Sequence, residues 1–484
     1  YGGSKYMKSP FFAFFKTFYS IHSDYRFPYH QDEWQHLGIS IQAMEEGYNK
    51  EFNPFLGVEG WHADLESGFH LFLSNLFILT GANPILNYQY LAAIFSVITG
   101  FIVFLCTYRL TDKFYAGILS LIIFISLKSN INILGKDYFV PLTMALPFIF
   151  LFILYFLTSL KEKNYKKIIF SITILAVLLL IHPPSSVILI FPVFIELLFN
   201  LDFIKQGYKK LKLGVLLIPI LVGIFFLLLW KGEWQATLGY LSDLLVFEQG
   251  WGKEEVTYFL PSLYGWVVTL FAIYGFTIAN KMKLKFFLIF AFFSLGMTAF
   301  FNVFGFSVLV PYSRVIHYAM LALIPLSAFG ILSVLYLVNK QFERNEVVHL
   351  LVSFILLAIV LNSQYKLDLE YKKYGQSPID ENDYRALIWL KQNFGSDNTL
   401  ITPYLMTSAV YPISGNKVIS LIPSQMGGGL IEKNLDFYKA GCNEKKDIIE
   451  LGKADFILSK TIIECDYLNE IYSDGTLIYS INFI

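Results

Sequence analysis

Long apolar stretches dominate the hydrophobic pattern of the chain. A membrane-spanning helix needs about 20 predominantly apolar residues, and about ten such stretches follow one another along the middle of the sequence. They cover 84–108, 114–128, 138–158, 167–182, 185–199, 213–230, 258–279, 285–303, 314–338 and 347–362. Two prolines, Pro183 and Pro184, separate the fourth stretch from the fifth. Because a Pro pair ends or kinks a helix, we expect a tight re-entry there. The pattern predicts a polytopic α-helical membrane domain over residues 84–362.

The regions on either side of this domain have a different pattern. Residues 1–83 contain an aromatic segment and a long polar loop. After residue 362 the charges rise and turn residues appear, and an amphipathic helix is predicted at Asp383–Phe394. Further helices are predicted at Leu435–Tyr438 and Lys446–Gly452, and short strands at Thr399–Thr402, Lys417–Leu421, Phe456–Ser459 and Tyr479–Phe483. Residues 363–484 are therefore predicted to form a small α/β domain.

Composition narrows the class of protein further. The chain has 484 residues, of which 55% are hydrophobic and only 15% are charged, whereas soluble domains carry about 25% charged residues. These values exclude a disordered protein, a disulfide-rich miniprotein and a single soluble domain. Lys and Arg together number 37, and so do Asp and Glu. This balance argues against a basic surface that coats nucleic acid.

The charges in the connections predict the orientation of the spans. One alternate set of connections carries fifteen Lys and Arg residues and the other carries five. The rule that cytoplasmic loops are positively charged assigns the first set to the inside. Both terminal regions are then predicted to be extracytoplasmic. Since the sequence begins with Tyr1, we also expect a first transmembrane helix to precede it.

Two adjacent acids, Asp32 and Glu33, stand just before the amphipathic stretch 37–44 in the first outer loop. Carboxylates at the membrane surface are candidates for a general base or for metal ligands. The alternative is structural, because Asp32 is placed to cap a helix or to stabilise its first turn. We interpret this pair as the catalytic motif.

Further ionisable residues stand at the predicted outer ends of the spans. Lys136 and Asp137 occur where a helix enters the membrane, so they either cap it and snorkel or face a cavity shared with Asp32. His182 stands beside the two prolines, and Arg314 begins another span. An Arg side chain binds phosphate through two hydrogen bonds; its alternative role is anchoring among lipid headgroups. By side and charge, we predict that Lys136, His182 and Arg314 contact phosphate.

A metal site is one hypothesis for the first outer loop. His62 and Glu66 are four residues apart, and so are Glu66 and His70. This spacing places all three on one helix face, as in some metal sites. The alternative is the wet face of an ordinary helix.

Two of the three cysteines, Cys442 and Cys465, lie in the predicted outer domain. Disulfides form in extracytoplasmic compartments, and we predict that these two residues pair. The alternative is two buried free thiols.

In four features the chain resembles the GT-C superfamily of membrane glycosyltransferases, which includes protein O-mannosyltransferases, aminoarabinose transferases and oligosaccharyltransferases. The Asp32 and Glu33 pair matches the acidic motif of the first outer loop, and residues 53–72 lead from that loop into the next span in the same style. Asp137 matches the second-loop acid, and residues 386–391 open an outer α/β domain. The Trp-Trp-Asp-Tyr-Gly run of oligosaccharyltransferases does not occur in this sequence.

The resemblance implies an inverting transferase that uses a polyprenyl-phosphate or polyprenyl-diphosphate sugar as donor. Asp32 is then the base, Glu33 is its neighbour in the motif and Asp137 is the supporting acid. The implied acceptor is a glycan, a lipid or a protein at the outer face of the cell membrane, and no nucleic acid is expected as a partner. Some relatives need a divalent metal, so Mg or Mn is a candidate cofactor.

Two other functions are weighed against this one. A transporter or flippase of lipid-linked or amphipathic substrates explains the spans. It also predicts repeat symmetry and charges within the membrane, whereas the sequence shows few charges within the spans and no clear repeat. A membrane metalloenzyme is the other hypothesis, using His30, Glu33 and His36 or the set around Glu66. The sequence contains no H-E-x-x-H motif, which weakens this hypothesis.

Overall fold

The computed structural model describes most of the chain. It covers residues 25–49, 52–59, 66–127, 136–201, 264–279, 284–341, 354–360, 377–421 and 428–482, with a few shorter stretches. The helices in chain order are α1 (Gln31–Glu45), α2 (Ser67–Thr80), α3 (Pro84–Asn87), α4 (Gln89–Thr111), α5 (Phe114–Ser126), α6 (Pro141–Glu162), α7 (Tyr165–Ile181), α8 (Pro183–Phe199), α9 (Trp266–Ala279), α10 (Lys285–Phe304), α11 (Tyr312–Gln341), α12 (Glu381–Phe394), α13 (Thr407–Ser414), α14 (Ile431–Phe437) and α15 (Cys442–Gly452).

Four helices of the described residues are long and apolar enough to cross a membrane. They are Pro84–Thr111, Pro141–Glu162, Lys285–Phe304 and Arg314–Val338. Shorter apolar helices occur at Ser67–Thr80, Phe114–Ser126, Pro183–Phe199 and Trp266–Ile278. The polytopic helical architecture is therefore present, while the count of about ten spans and their orientation stay predictions. The predicted span 213–230 lies outside the described residues.

The two prolines do interrupt a helix. α7 ends at Ile181, and α8 begins at Pro183, with His182 between them in a non-helical conformation. Pro is tolerated in the first turn of a helix because the N–H it lacks has no partner there. The sequence therefore breaks one apolar run into two helices at His182.

The C-terminal residues form an α/β arrangement around a five-stranded sheet. Its strands are β3 (Thr399–Ile401), β4 (Lys417–Val418), β5 (Phe456–Ser459), β6 (Leu468–Ser473) and β7 (Leu477–Ile481), whereas β1 (Val246–Phe247) and β2 (Ser307–Val308) pair earlier in the chain as a separate antiparallel sheet. The sheet has the order β4-β3-β5-β7-β6. Its first three strands are parallel, while β7 runs antiparallel to β5 and to β6. Buried side chains such as Ile401, Ile457 and Phe437 form its core. The α/β elements predicted for this region are present, and β6 and α13 are additions.

A disulfide joins Cys442, the first residue of α15, to Cys465, which precedes β6. The two Cα atoms are 5.7 Å apart, within the usual range for a disulfide. Cys106 is buried and free. The crosslink therefore fastens a helix to the edge of the sheet.

The chain divides into two compact units. The first, called the site unit, contains Tyr1–Ile94, Asp137–Pro141 and Gly375–Ile484. The second, called the helical unit, contains Phe95–Lys136 and Leu142–Tyr374. The five residues 137–141, from the second predicted outer loop, thus belong to the unit that holds the first loop and the α/β region. The domain boundaries at residues 83 and 363 stay predictions.

Candidate active site

Helix α1 of the site unit begins with a capping box. His30 is the N-cap residue, and its Nδ1 accepts a hydrogen bond from the backbone N–H of Asp32 at 3.1 Å. In return, the Glu33 carboxylate accepts from the backbone N–H of His30 at 3.0 Å and from that of Tyr29 at 2.8 Å. Such reciprocal bonds satisfy N–H groups that have no partner inside the helix. The acids also favour the positive end of the helix dipole.

The second oxygen of Glu33 reaches a segment more than a hundred residues away in sequence. It accepts a hydrogen bond of 2.7 Å from the backbone N–H of Phe139. Phe139 is two residues after Asp137, and the ring of Tyr138 lies edge-on to the His30 ring at 5.5 Å between centroids. Glu33 therefore fastens the segment that bears Asp137 to the helix that bears Asp32.

Burial sets the protonation of Glu33. The residue is fully buried, and removal of the carboxylate from water raises its pKa to about 7, against the opposing effect of the three backbone N–H donors. The nearby charge of Asp32 raises the pKa further. Desolvation disfavours the charged form of any acid. Glu33 is thus an acid whose two carboxylate oxygens both accept hydrogen bonds from backbone N–H groups.

Asp32 differs from its neighbour in exposure and in partners. About a quarter of its side chain is exposed (26%), and its carboxylate lies 3.8 Å from His30 Nδ1. None of the residues described in the structure donates a hydrogen bond to this carboxylate, so it is available to a ligand. Of the two adjacent acids in the predicted motif, Asp32 is thus the one whose carboxylate is partly exposed and accepts no hydrogen bond from the described residues.

The segment that carries Asp137 is held from several sides. Asp137, Tyr138 and Phe139 are all buried. The Tyr88 hydroxyl donates a hydrogen bond of 2.5 Å to the Phe139 carbonyl, and the Phe139 ring packs against that of Phe69 with centroids 5.3 Å apart. The position of Asp137 is therefore set by the contacts of Phe139, two residues further along the chain.

His36 of α1, His70 of α2 and Glu66, the N-cap residue of α2, form a polar chain that the sequence pattern does not predict. His36 Nδ1 lies 2.9 Å from His70 Nε2, and His36 Nε2 lies 3.9 Å from the Glu66 carboxylate. The two ring nitrogens of His36 thus face different partners, His70 on one side and Glu66 on the other.

This arrangement argues against one hypothesis about metal ligands, while the other, His62 with Glu66 and His70, stays a prediction. His30 and Glu33 are committed to capping α1, so they do not form a ligand set with His36. His62 lies outside the described residues, whereas Glu66 and His70 do lie one helical turn apart. Over the described part of the chain, no three His, Cys, Asp or Glu side chains are grouped to hold a metal ion.

The predicted phosphate contacts lie in the helical unit. His182 Nδ1 is 2.7 Å from the Ser185 hydroxyl, which is 2.6 Å from the Tyr318 hydroxyl. Tyr318 belongs to α11, which also carries Arg314 and His317 in its first two turns. We call His182, Ser185, Arg314, His317 and Tyr318 the polar cluster of the helical unit. The structure thus brings His182 to the helix that begins near Arg314.

Lys136 is also part of the helical unit. It is buried, and its carbonyl accepts a hydrogen bond of 2.5 Å from the Ser96 hydroxyl on α4. Its predicted contact with phosphate stays a prediction.

A short strap of the first loop, residues 52–59, holds the middle of α1. Phe55 is fully buried, and its ring lies where a side chain on Gly38 of α1 would be. The Phe55 carbonyl accepts a hydrogen bond of 2.8 Å from the backbone N–H of Val418, the last residue of β4. The ring also meets Tyr411 edge-on at 5.7 Å. The α/β region thereby supports the helix that carries Asp32.

Comparison with known proteins reveals the fold. The structure is similar to the Archaeoglobus fulgidus oligosaccharyltransferase tethered with an acceptor peptide, with a TM-score of 0.60, 12% identity, and coverage of 94% of this chain and 70% of that one. It is also similar to ArnT from Cupriavidus metallidurans bound to undecaprenyl phosphate, with a TM-score of 0.56, 12% identity, and 97% of each chain covered. The chain has the GT-C fold.

The likeness is one of architecture. A third similar structure is the same oligosaccharyltransferase in complex with Zn and sulfate, with a TM-score of 0.59, 13% identity, and coverage of 93% of this chain and 68% of that one. No protein-family model matches the sequence, and no curated protein matches it. The fold that the sequence resemblance implies is confirmed, and the chemistry has to be argued from the residues.

Proposed function

We propose that the protein is an inverting glycosyltransferase. It moves a sugar from a polyprenyl-phosphate or polyprenyl-diphosphate lipid to a glycan, lipid or protein acceptor at the outer face of the cell membrane. One observation carries the proposal. Glu33 hydrogen-bonds to both acid-bearing segments and leaves the Asp32 carboxylate available to a ligand. The GT-C fold supports a lipid-linked donor.

In the proposed reaction Asp32 acts as the general base. It takes the proton from the acceptor hydroxyl while the oxygen attacks the anomeric carbon of the sugar. The bond between that carbon and the phosphate oxygen breaks, and the lipid phosphate leaves with the electron pair. Attack on the face opposite the leaving group inverts the anomeric centre. Asp137 supports the site as the second acid.

The leaving phosphate gains negative charge as the bond breaks. Arg314, Lys136 and His182 are the proposed contacts that stabilise this charge, since cations and hydrogen-bond donors aimed at a developing charge lower the barrier. Two of the similar structures are described as complexes with dolichol-phosphate and with undecaprenyl phosphate. A phosphate on a polyprenyl chain is therefore a ligand that proteins of this fold accommodate.

A divalent cation is a further element of the proposal. Asp32 and Asp137 are carboxylates, the ligands that Mg and Mn favour, and together with phosphate oxygens of the donor they would hold one such ion. The ion would supply positive charge to the leaving phosphate.

The test is a transfer assay with lipid-phosphate sugar donors on purified protein in a lipid bilayer. We expect Asp32→Asn to lose at least a hundredfold in transfer rate, because general-base catalysis contributes about 10²–10⁴-fold. Glu45→Gln is the matched control, an exposed acid at the other end of the same helix, and it should transfer at the wild-type rate. Equal rates for Asp32→Asn and wild type would remove Asp32 as the base.

A further inference from the structure

The ring of His317 is buried, and it makes no hydrogen bond to the described part of the chain. Only 4% of the residue is exposed, and neither ring nitrogen has a partner among the residues that the structure describes. A neutral imidazole offers one donor and one acceptor, and burying such groups unpaired costs free energy. A cationic side chain lies beside it, because Arg314 precedes His317 by three residues, about one turn, on the same helix.

The other members of the polar cluster do not satisfy His317. Its neighbour Tyr318 lies with its ring 6.1 Å away between centroids, and the Tyr318 hydroxyl is already taken up by Ser185 and His182. His182, Ser185 and Tyr318 therefore bind one another, while neither nitrogen of the His317 ring has a partner among the residues that the structure describes.

Charge and spacing decide which chemical class fits. Residues three apart on a helix are neighbours on its surface, and the rise of about 1.5 Å per residue separates Arg314 from His317 by about 4.5 Å along the axis. A phosphate group has several acceptor oxygens and accepts charge-assisted hydrogen bonds of about 2.8 Å. It can therefore span this distance, with one oxygen toward the cation and another toward the imidazole.

We infer that His317 donates a hydrogen bond to a phosphate oxygen whose charge Arg314 neutralises. The inference rests on the proposed function. It adds His317 to the phosphate contacts that were predicted from charge and membrane side. His317 is then a binding residue for the phosphate of the donor, and the bonded network of His182, Ser185 and Tyr318 positions α8 against α11 beside it. The phosphate could belong to a lipid or be inorganic, and the experiment distinguishes these sources.

The test measures the binding of undecaprenyl phosphate to protein in lipid nanodiscs. His317→Phe keeps a ring of similar size and removes both nitrogens. We expect at least a tenfold weaker Kd, equivalent to about 1.4 kcal/mol. The unfolding temperature without ligand should rise, because an unpaired buried polar group is removed. Ser294→Ala is the matched control, since Ser294 is buried in α10 and its hydroxyl has no partner among the described residues; it should leave the Kd unchanged.

Competition with inorganic phosphate identifies the source. Competition in the wild type that is lost in His317→Phe assigns the site to the phosphate group itself. A variant effect on lipid binding without such competition assigns it to a phosphate carried by a lipid. Equal affinity of wild type and His317→Phe for undecaprenyl phosphate would overturn the inference.

Two further measurements keep the outcome decisive. If His317→Phe does not fold, the imidazole ¹⁵N resonances of the wild type carry the test, with the signal identified by its loss in His317→Gln. A shift of that signal on addition of undecaprenyl phosphate supports the contact, and an unchanged signal overturns it. Failure of the wild type to transfer sugar would instead refute the proposed function, because the binding measurement does not depend on transfer.

Discussion

Replacing Glu33 with Gln should separate the stability of the site from its activity. The substitution keeps the shape of the side chain and removes its charge. One oxygen of Gln can still accept from the N–H groups of Tyr29 and His30, but the amide then turns an N–H₂ toward the N–H of Phe139. The link from α1 to the segment of Asp137 is lost, while the cap on α1 remains.

The size of the stability effect follows from the pKa of Glu33. Burial raises that pKa from its ordinary value of 4.5 to about 7, which corresponds to about 3 kcal/mol of unfavourable free energy for the ionised form at neutral pH. Gln has no charge to bury. The hydroxyl oxygen of protonated Glu33 can still accept from the Phe139 N–H, whereas the N–H₂ of Gln cannot, so the lost hydrogen bond offsets about 1–3 kcal/mol of this gain. The variant is therefore expected to be more stable than wild type at pH 7, by up to about 2 kcal/mol.

The activity should change in the opposite direction. A misplacement of about 1 Å in an active site can cost about a hundredfold in rate, and the released segment carries Asp137. We expect the kcat for sugar transfer to fall about 10- to 100-fold in Glu33→Gln. The assay combines thermal unfolding in detergent with transfer from a lipid-phosphate donor.

A matched control is present at the start of α12. Asp383 is a buried acid at the same capping-box position, and it accepts hydrogen bonds from the Asp380 N–H at 2.9 Å and from the Thr476 hydroxyl at 2.6 Å. It also pairs with Lys460 at 2.5 Å. Asp383→Asn should lose about 2–3 kcal/mol of stability and keep its transfer rate per folded molecule. A Glu33→Gln variant that loses stability and activity together, or that transfers normally, would refute the reasoning.

Three further predictions concern the same unit. Gly38→Ala places a Cβ 2.3 Å from the Phe55 ring, so we expect a net loss of about 1–2 kcal/mol after the gain in helix propensity; Gly296→Ala, with nothing within 4 Å, should be neutral or stabilising, and equal unfolding temperatures for the two would contradict this. Cys442→Ser opens a disulfide between residues 23 apart and should cost about 3 kcal/mol; Cys106→Ala, which removes a free thiol and no crosslink, should cost less. The pKa of Glu33 is raised from 4.5 to about 7 in the folded protein, so its contribution to folding stability is fully present below pH 4.5 and is lost as the pH rises through 7. Wild type should therefore lose about 3 kcal/mol of unfolding free energy relative to Glu33→Gln over this range. Parallel pH profiles of stability for the two proteins would show that Glu33 does not titrate.

Local patterns predicted the helices and strands well because each depends on neighbours in sequence. The break at His182 follows from Pro183 alone, and the amphipathic period of α12 is visible in its apolar residues. The sequence pattern does not predict β6, because Leu468–Ser473 forms an edge strand in which half of the residues are exposed and one is buried. Its pairing with β7 provides the stability that its own hydrophobicity lacks.

The candidate site was predicted less completely, because its contacts join distant segments. The acids Asp32 and Glu33 were visible as a pair, but only the fold shows that Glu33 is engaged by the backbone and that Asp32 is not. The bond from Glu33 to Phe139 uses a backbone N–H, which leaves no mark in the sequence. His36 and His70 are hydrogen-bonded between two helices, whereas the spacing along a single helix predicts a group of His62, Glu66 and His70.

His317 was missed for a different reason. It lies inside an apolar run, where a single His is compatible with many structural roles. What singles it out is that neither ring nitrogen has a hydrogen-bond partner among the described residues of the folded chain. Its position three residues after Arg314, which places the two side chains next to each other on a helix, is the feature of the sequence that could have indicated it.

The central claim is that sugar leaves a polyprenyl phosphate as the acceptor is glycosylated. The most direct measurement counts the lipid phosphate released for each sugar transferred by wild-type protein in vesicles, with the anomeric configuration of the product read by NMR. We expect one lipid phosphate per sugar, an inverted anomeric centre and a transfer rate at least about a hundredfold lower with Asp32→Asn. Movement of the intact lipid-linked sugar across the bilayer without any glycosylated product would contradict the account and favour a transporter.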